Sequence, residues 1–380
     1  MAIDVSALSS GLRSGTAVYL YRLVQALAEL RDGPELVLLY NGMPGAGAEL
    51  AASLTGPRVS LECAYLKWRP LPAPVFWRPY PRRLTRAVRS ADVFHVGEYV
   101  FPDPGPTVRV VATVHDVTTR LFPQWHMLPN RMLHERRLKW IRRYAHRVII
   151  DAEATRRDTA RELGRDPGTL AVVPLARGTA GAGAPGVEAD DVRRRFGIGD
   201  EPYVLFVGVL EPRKNLARLI RAFELLSPEL TEHWKLVLAG EWGWHSRALR
   251  KAISSSPLRH RIVTTGPVES GTLEALYAAA GLFAYPSLYE GFGLPLLEAM
   301  AAAVPVLTSR GGALQEVAGD AALLVDPEDV GSIRDGLERA LLSAELRAGL
   351  AERGRVREAQ FTWERTAAAT YHIYRELARQ

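Results

Sequence analysis

The chain has 380 residues but only one cysteine, Cys63, and this scarcity excludes two classes of protein. A single thiol cannot form an internal disulfide or supply a cysteine-rich metal site, so a reducing compartment is expected. No apolar run approaches the roughly 18 residues of a membrane-spanning helix, and the N-terminal residues lack the basic and apolar regions of a signal peptide. The sequence therefore predicts a cytoplasmic protein whose access to a membrane is peripheral, at its inner face.

Several catalytic motifs are missing as well. The chain contains no Asp-X-Asp, His-Glu-X-X-His, Gly-X-Ser-X-Gly or Walker lysine motif, which are typical of metal-dependent, hydrolytic or P-loop enzymes. Histidine, aspartate and glutamate do not cluster at metal-ligand spacing either. We therefore expect neither a metal nor a bound cofactor, so the protein itself must hold any substrate phosphate.

Acidic residues are scarce in the N-terminal half. Residues 1–180 carry 25 Lys and Arg against 16 Asp and Glu, whereas residues 181–380 carry 23 against 26. The excess is concentrated at residues 66–89, which hold seven basic residues, several aromatic residues and no acid. This favours an anionic partner, and nucleic acid is disfavoured because no recognition motif accompanies the charge. Peripheral contact with an anionic membrane and a proline-rich loop with solvated charges both stay open.

Strand-like and helix-like stretches alternate along the chain. Apolar runs such as residues 2–8 and 203–210 are typical of strands, and the apolar residues at 216–226 recur at helical spacing. Repeated β-α units with short loops predict an α/β fold with parallel sheets that helices cover on both faces. In such sheets ligands bind beyond the carboxyl ends of the strands.

One stretch of glycine, alanine and proline interrupts this alternation. Residues 176–194 are predicted to be a linker because small and turn-forming residues dominate there. We therefore expect two Rossmann-like domains, at residues 1–175 and 195–358. Two such domains facing each other form a cleft in which one ligand touches both.

Two glutamates flank a glycine-rich bend in the stretch YEGFGLPLLEAM. Gly291 and Gly293 allow a ligand to approach the backbone closely, and Pro295 suits the first turn of a helix. Free N–H groups at a helix start bind anions, and Glu290 and Glu298 are spaced to contact hydroxyl groups on either side of a phosphate. The pattern fits a nucleotide sugar. A helix start stabilised by Glu298 and a solvated Glu290 explain it as well.

A pair of adjacent cations opens another strand-to-helix loop. In VGVLEPRKNLARLI, Gly208 and Glu211 precede Arg213 and Lys214. An arginine fork and a lysine point charge together can neutralise a departing diphosphate. A solvated helix start is the alternative, although cations there oppose the helix dipole.

His115 and Asp116 follow a predicted strand at 109–114, at the ligand-binding edge of a sheet. A lone histidine is also common in structural roles, so both interpretations stay open. Gly11 and Gly15 lie between the first strand and the first helix. Their signal is weak because glycines are common in such loops.

These segments together resemble the retaining glycosyltransferases of family 4, the group 1 glycosyltransferases. The stretch 287–329 is similar to the family's donor-binding signature, and LFVGVLEPRKNLARLIRAF to its diphosphate loop. TVHDVTTRLFP resembles the His-Asp segment of the mannosyltransferase-like branch. The resemblance implies a GT-B fold, with an N-terminal acceptor domain and a C-terminal nucleotide-sugar domain facing across a cleft. Residues 361–380 are implied to return as a helix to the N-terminal domain.

The resemblance also implies roles for individual residues. Glu298 binds the donor ribose, and Glu290 contacts the donor sugar. Arg213 and Lys214 hold the diphosphate, and His115 contacts the sugar near the reacting carbon. The remaining donor-binding positions are Gly208, Gly291, Phe292, Gly293 and Leu294, and Gly15 lies in the loop that brings acceptor and diphosphate together.

The implied activity is transfer of a hexose, with mannose favoured, from a nucleoside-diphosphate sugar to a glycan, lipid-linked or small-molecule acceptor, with retention and without a metal. Ala303 stands where relatives usually carry glycine, Gln315 where they carry proline, and residues 172–178 lack the usual Gly-Val-Asp ending. A GT-B epimerase or phosphorylase, or a non-catalytic nucleotide-sugar-binding protein, stays open as an alternative.

Overall fold

The chain folds into two compact units. One is made of Met1–Gly178 with Thr362–Gln380, and the other of Thr179–Phe361. The structure, a computed structural model, describes residues 1–42, 45–65, 82–97, 103–178 and 187–379.

The first unit is built on a seven-stranded parallel sheet. Its strands are β1 (Ala2–Asp4), β2 (Leu36–Gly42), β3 (Val59–Tyr65), β4 (Val93–Val96), β5 (Arg109–Thr113), β6 (Arg147–Ile150) and β7 (Leu170–Val172). They lie in the order β3-β2-β1-β4-β5-β6-β7, and each neighbouring pair is parallel. The central strands are buried along nearly their whole length, so they form apolar runs without alternation.

Helices cover both faces of this sheet. They are α1 (Gly15–Glu29), α2 (Ala46–Ala52), α3 (Arg82–Arg89), α4 (Thr118–Leu121), α5 (Leu128–Tyr144) and α6 (Arg156–Leu163). Short 3-10 helices span Ser6–Arg13, Pro123–Trp125, Glu153–Thr155 and Pro167–Thr169.

The second unit repeats the plan with six parallel strands. They are β8 (Tyr203–Val207), β9 (Lys235–Ala239), β10 (Ile262–Gly266), β11 (Leu282–Tyr285), β12 (Val306–Ser309) and β13 (Ala322–Val325). Their order is β10-β9-β8-β11-β12-β13. The predicted α/β fold with parallel sheets is therefore confirmed.

The helices of the second unit are α7 (Ala189–Arg195), α8 (Leu216–Glu224), α9 (Pro228–His233), α10 (Arg247–Ser255), α11 (Ser270–Ala278), α12 (Leu294–Ala301), α13 (Gly312–Ala318), α14 (Val330–Leu342) and α15 (Ala344–Glu358), with 3-10 helices at Pro212–Lys214 and Arg259–Arg261. No helix in the described ranges of either unit combines the length and the apolar character needed to cross a membrane.

The C-terminal helix α16 (Trp363–Ala378) belongs to the first unit, as the resemblance implied. It packs against α1, β4 and β5. The Tyr374 hydroxyl lies 2.5 Å from His95 Nδ1 on β4, and the Thr366 hydroxyl donates to the Pro174 carbonyl oxygen at 2.7 Å. Buried polar contacts as well as apolar packing therefore hold the chain end on this unit.

The strand predicted at residues 2–8 is shorter than expected. It ends at Asp4, and Ser6–Arg13 form a 3-10 helix. The Asp4 carboxylate accepts hydrogen bonds from the Ser6 backbone N–H at 3.1 Å and from its hydroxyl at 2.5 Å. This local side-chain turn competes with the sheet and turns the chain away from it.

The predicted linker at 176–194 contains the start of a helix. Residues 179–186 lie outside the described part of the chain, but Ala189–Arg195 form α7. Asp190 and Asp191 lie in its first turn and three arginines in its last, which suits the helix dipole at both ends. The composition did not indicate this helix, because alanine and glycine dominate the residues before it.

Most of the basic stretch 66–89 falls outside the described residues. Its last eight residues form α3, in which Leu84 and Val88 are buried and the arginines are exposed. The interpretation of residues 66–81 as a membrane-contacting or solvated segment therefore stays a prediction.

Ala303, which replaces the family's usual glycine, has φ of 55°. In this left-handed region a Cβ costs roughly 1–2 kcal/mol and glycine is favoured. The backbone after α12 thus has a conformation that favours glycine, although this chain carries alanine there.

Candidate functional site

The two motifs of the second unit lie side by side at one edge of its sheet. The chain runs outward from β8 to β9 and β10 on one side, and from β11 to β12 and β13 on the other. In open parallel sheets this change of direction leaves a crevice at the carboxyl ends of the two central strands, where ligands bind. The loops at 208–215 and 286–293 follow those two strands.

Backbone conformation and one asparagine hold the loop after β8 in shape. Gly208 has φ of 145°, and its carbonyl oxygen lies 2.0 Å from the place that a Cβ on Gly240 would take. Asn215 Nδ2 donates to the carbonyl oxygens of Pro286 at 3.0 Å and Pro327 at 2.6 Å. These contacts tie the loop to the ends of β9, β11 and β13.

The predicted cations and one predicted glutamate form a single ion-pair cluster. Glu290 accepts from Arg213 Nη1 at 2.5 Å through Oε2 and from Lys214 Nζ at 2.6 Å through Oε1. Glu211 accepts from Arg213 Nη2 at 2.9 Å and from its Nε at 3.1 Å. Lys214 Nζ also donates to the Tyr285 hydroxyl at 2.6 Å. The cluster balances two cations with two carboxylates.

Burial and charge act against each other in this cluster. Burial alone raises the pKa of Glu290, but the Arg213 and Lys214 charges outweigh it and hold that pKa below its usual value. Burial, assisted by the Arg213 charge, lowers the pKa of Lys214 even though Glu290 opposes the shift. The ion pairs of Glu290 therefore stabilise the fold at pH values above the usual glutamate pKa. This stabilisation is lost as the pH falls through the lowered pKa of Glu290.

The start of α12 offers hydrogen-bond donors beside this cluster. No partner lies within the described ranges for the backbone N–H groups of Gly291, Phe292, Gly293 and Leu294. Gly293 has φ of 108°, and a Cβ there would lie 2.6 Å from Leu314 Cδ2, so only glycine fits. Free N–H groups at a helix start bind anions, and this segment follows Glu290 directly in the chain.

Glu298 and Phe292 make specific contacts within the second unit. Glu298 lies on α12, and its Oε2 accepts a hydrogen bond from the buried Tyr277 hydroxyl of α11 at 3.0 Å. Phe292 packs edge to face on Phe361, with ring centroids 5.8 Å apart. Phe292 therefore has only its backbone to offer a ligand, whereas Glu298 is oriented by a neighbouring helix.

The other two predicted residues lie in the first unit. His115 follows β5, and its Nδ1 lies 2.7 Å from Asp151 Oδ2 at the end of β6. The Tyr19 ring stands edge-on to the imidazole, with centroids 4.8 Å apart. Gly15 is the exposed first residue of α1, whose start the Ser14 side chain caps by accepting from the Ala17 N–H.

Sequence reasoning missed several polar residues around these positions. Tyr285, Asn215 and Tyr277 are buried side chains on or beside apolar runs, where they could not be told from packing residues. Asp151 directly follows the apolar strand β6, and no local motif singles it out. Asp116 lies before α4 and accepts from the Thr118 N–H at 3.0 Å, which gives this acid a local structural contact.

The site can bind an anion with the protein's own groups. Its donors are one guanidinium, one ammonium and four backbone N–H groups. Over the described ranges, His, Cys, Asp and Glu side chains nowhere gather in a group of three that could hold a metal ion.

Two family models match this chain. The model for Glycosyltransferase Family 4 matches residues 13–176, and the model for Glycosyl transferases group 1 matches residues 188–357. The chain is 29% identical over 369 residues to the O-antigen chain mannosyltransferase B of Escherichia coli, with 96% of each protein covered. It is 31% identical over 240 residues to the MMP alpha-(1->4)-mannosyltransferase of Mycolicibacterium hassiacum, covering 62% of this chain and 55% of that protein.

Solved structures share the architecture. Anabaena HepE in complex with UDP and glucose matches with a TM-score of 0.72 at 16% identity, over 100% of this chain and 99% of that one. WaaG, a glycosyltransferase involved in lipopolysaccharide biosynthesis, matches with a TM-score of 0.68 at 16% identity over 98% of both chains. At such identities the likeness establishes a common fold and does not extend to substrates.

Proposed function

The chain belongs to the group 1 glycosyltransferases of the GT-B fold, and on this premise we propose that it transfers a mannose-like hexose from a nucleoside-diphosphate sugar to an acceptor hydroxyl. The proposed reaction retains the anomeric configuration and needs no metal. The proposed acceptor is a glycan, a lipid-linked sugar or a small molecule.

The observation that carries this proposal is the ion-pair cluster together with the backbone N–H groups at 291–294, which have no partner among the described residues. Arg213 and Lys214 are held at the switch point of the sheet, next to a helix start that suits an anion. A diphosphate presents several acceptor oxygens for this set of donors. Glu298 then binds the ribose of the nucleotide, and Glu290 contacts the sugar to be transferred.

The proposed chemistry follows from these groups. The bond from the anomeric carbon to the leaving phosphate oxygen breaks, while the bond to the acceptor oxygen forms on the same face of the sugar. The acceptor proton passes to the departing phosphate oxygen, and Arg213 and Lys214 stabilise the charge on the leaving diphosphate. Both carboxylate oxygens of Glu290 are engaged by these cations, which favours this route over a covalent intermediate on Glu290.

Relatives guide the choice of substrates. The mannosyltransferase names of the matched proteins favour mannose as the transferred sugar and a growing polysaccharide as the acceptor. The resemblance of the His-Asp segment at 115–116 to mannosyltransferase-like enzymes favours guanine as the proposed base, and the ligand panel tests this choice.

A ligand panel followed by a transfer assay tests the function. We expect one nucleoside diphosphate to raise the melting temperature, because a ligand that binds only the folded state stabilises it by mass action. Its sugar conjugate should then release that diphosphate in the presence of acceptor, at an unchanged rate in EDTA. Nuclear magnetic resonance of the product should show the anomeric configuration of the donor.

Other outcomes separate the alternatives. Conversion of the donor sugar to an isomer without acceptor would identify an epimerase, and dependence on inorganic phosphate would identify a phosphorylase. Binding without release of nucleoside diphosphate from any donor, with or without acceptor, would support the non-catalytic alternative and overturn the transferase proposal. Loss of activity in EDTA would contradict metal independence alone.

We further propose that α5 contacts an anionic membrane surface. Leu128 and Met132 lie one turn apart and are exposed, with Leu128 63% exposed, and Met127 before them is exposed as well. The same helix exposes five cations, namely Arg131, Arg136, Lys139, Arg142 and Arg143. Apolar side chains among cations favour insertion at a surface of anionic lipid rather than at a neutral one.

Co-sedimentation with lipid vesicles tests this surface. We expect binding to phosphatidylglycerol-containing vesicles at low salt and release at high salt, with weak binding to pure phosphatidylcholine. The double variant Leu128→Ser, Met132→Ser should bind about 10-fold more weakly, since two partly inserted side chains contribute roughly 1–2 kcal/mol. Leu342→Ser on α14, at a residue 69% exposed, is the matched control. Equal binding by the double variant and the wild type would exclude α5 as the contact.

A further inference from the structure

A buried carboxylate lies behind the predicted sugar-contacting histidine. Thr113 on β5 is paired in register with Ile149 on β6. His115 and Asp151 each lie two residues beyond this pair, so both leave the sheet at the same level and on the same face. The parallel register, rather than any local motif, brings the two side chains together.

The contact between them is short and largely buried. His115 Nδ1 and Asp151 Oδ2 are 2.7 Å apart, and the side chains are 20% and 2% exposed. Asp151 Oδ1 is buried and has no hydrogen-bond partner among the described residues. Among the described residues, His115 is therefore the one side chain that forms a hydrogen bond with this carboxylate.

The surroundings restrict the imidazole further. The Tyr19 ring of α1 stands edge-on at 4.8 Å and supports the ring plane. Because Nδ1 is occupied by the carboxylate, its proton is donated to Asp151, and a neutral His115 presents Nε2 as an acceptor. The partly exposed ring thus has one nitrogen assigned to the protein and the other left for a ligand.

Other titratable groups face this pair from neighbouring elements. Arg137 of α5 and Asp116 after β5 act on the Asp151 carboxylate with opposite signs. His95 of β4 is buried, which lowers its pKa to about 3, so it stays neutral. Burial raises the pKa of Asp151 although His115 opposes the shift. His95 therefore places no positive charge near the Asp151 carboxylate.

We propose that Asp151 is a positioning residue, which holds His115 Nδ1 so that Nε2 accepts a hydrogen bond from a hydroxyl of the transferred sugar. This inference rests on the proposed function. Asp151 acts through His115 and does not itself touch the substrate.

Asparagine at position 151 tests the role, because an amide presents an N–H or an oxygen and no longer selects one tautomer. We expect Asp151→Asn to shift the ¹⁵N resonances of His115 towards a mixture of tautomers in the ligand-free protein. We also expect kcat/KM for the nucleotide sugar to fall about 10- to 100-fold, with unchanged affinity for the nucleoside diphosphate. In a His115→Gln background the same change should cost less than about 2-fold, because coupled residues are not additive.

Asp4→Asn is the matched control, because Asp4 is another buried aspartate of the same sheet and contacts Ser6 rather than His115. It should leave the His115 resonances unchanged. Unchanged resonances in Asp151→Asn, or a full loss in the His115→Gln background, would overturn the inference. If the wild type transferred no sugar, the proposed function would fail by itself, and the tautomer measurement would still decide whether Asp151 orients His115.

Discussion

Lys214→Ala is expected to lower kcat/KM for the nucleotide sugar by about 10²- to 10³-fold. The Lys214 ammonium bonds to Glu290 and to the Tyr285 hydroxyl, and its loss removes one of the two cations proposed to hold the diphosphate. Glu290 then keeps Arg213 as its partner in the ion-pair cluster. Because hydrogen bonds to a buried charge are lost, we also expect the free energy of unfolding to fall by about 1–3 kcal/mol.

Two measurements separate these effects. Steady-state kinetics with the donor identified by the melting panel gives the loss of turnover, and urea unfolding gives the loss of stability. Lys251→Ala is the matched control, since Lys251 is an exposed lysine on α10 of the same unit, and it should change neither quantity. A folded Lys214→Ala protein with wild-type rates would remove the diphosphate role of this lysine.

Glu290→Gln is expected to change binding and turnover in opposite directions. The substitution keeps the shape but leaves the cluster with two cations and one carboxylate, Glu211. Arg213 and Lys214 are then less neutralised, so a nucleoside diphosphate should bind about 3- to 10-fold more tightly, a gain on the order of 1 kcal/mol. The donor sugar loses its proposed carboxylate contact, so kcat should fall about 10²-fold.

Calorimetric titration of the nucleoside diphosphate and single-turnover kinetics measure the two changes. Glu211→Gln removes the same charge from the cluster without touching the proposed sugar contact, so it should tighten diphosphate binding with a smaller loss of kcat. Weaker diphosphate binding in Glu290→Gln would show that Glu290 holds the cations in place for the ligand and does not compete with it. Unchanged kcat would exclude the sugar contact.

The charge balance at this site illustrates what sequence reasoning could reach. Adjacent cations at 213–214 and two glutamates around a bend indicated a diphosphate between hydroxylated groups. The pattern did not indicate that Glu290 engages both cations, because the partners lie 77 and 76 residues apart along the chain. Nor did it indicate that the hydroxyl of Tyr285, at the end of the apolar strand β11, accepts a hydrogen bond from Lys214.

The fold was similarly predictable in its centre and less so at its edges. Central strands such as β4 and β8 are buried on both faces and form apolar runs that can be recognised from the sequence alone. The edge strand β3 includes Glu62 and Cys63 and lacks such a run, and β7 has three residues, so neither was identified. The helix α7 was hidden beside a glycine-rich stretch.

By itself the sequence determined the features that depend on neighbours within a few residues. Periodicity predicted the alternating strands and helices, Gly293 and Pro295 predicted the bend and helix start, and the family signature predicted the fold. The tertiary structure alone decided which charges meet. Sheet order placed the loops after β8 and β11 together, and register placed Asp151 against His115, 36 residues away. Ion pairs and hydrogen bonds act over a few ångströms in space, so they depend on how strands pair and not on their spacing in the chain.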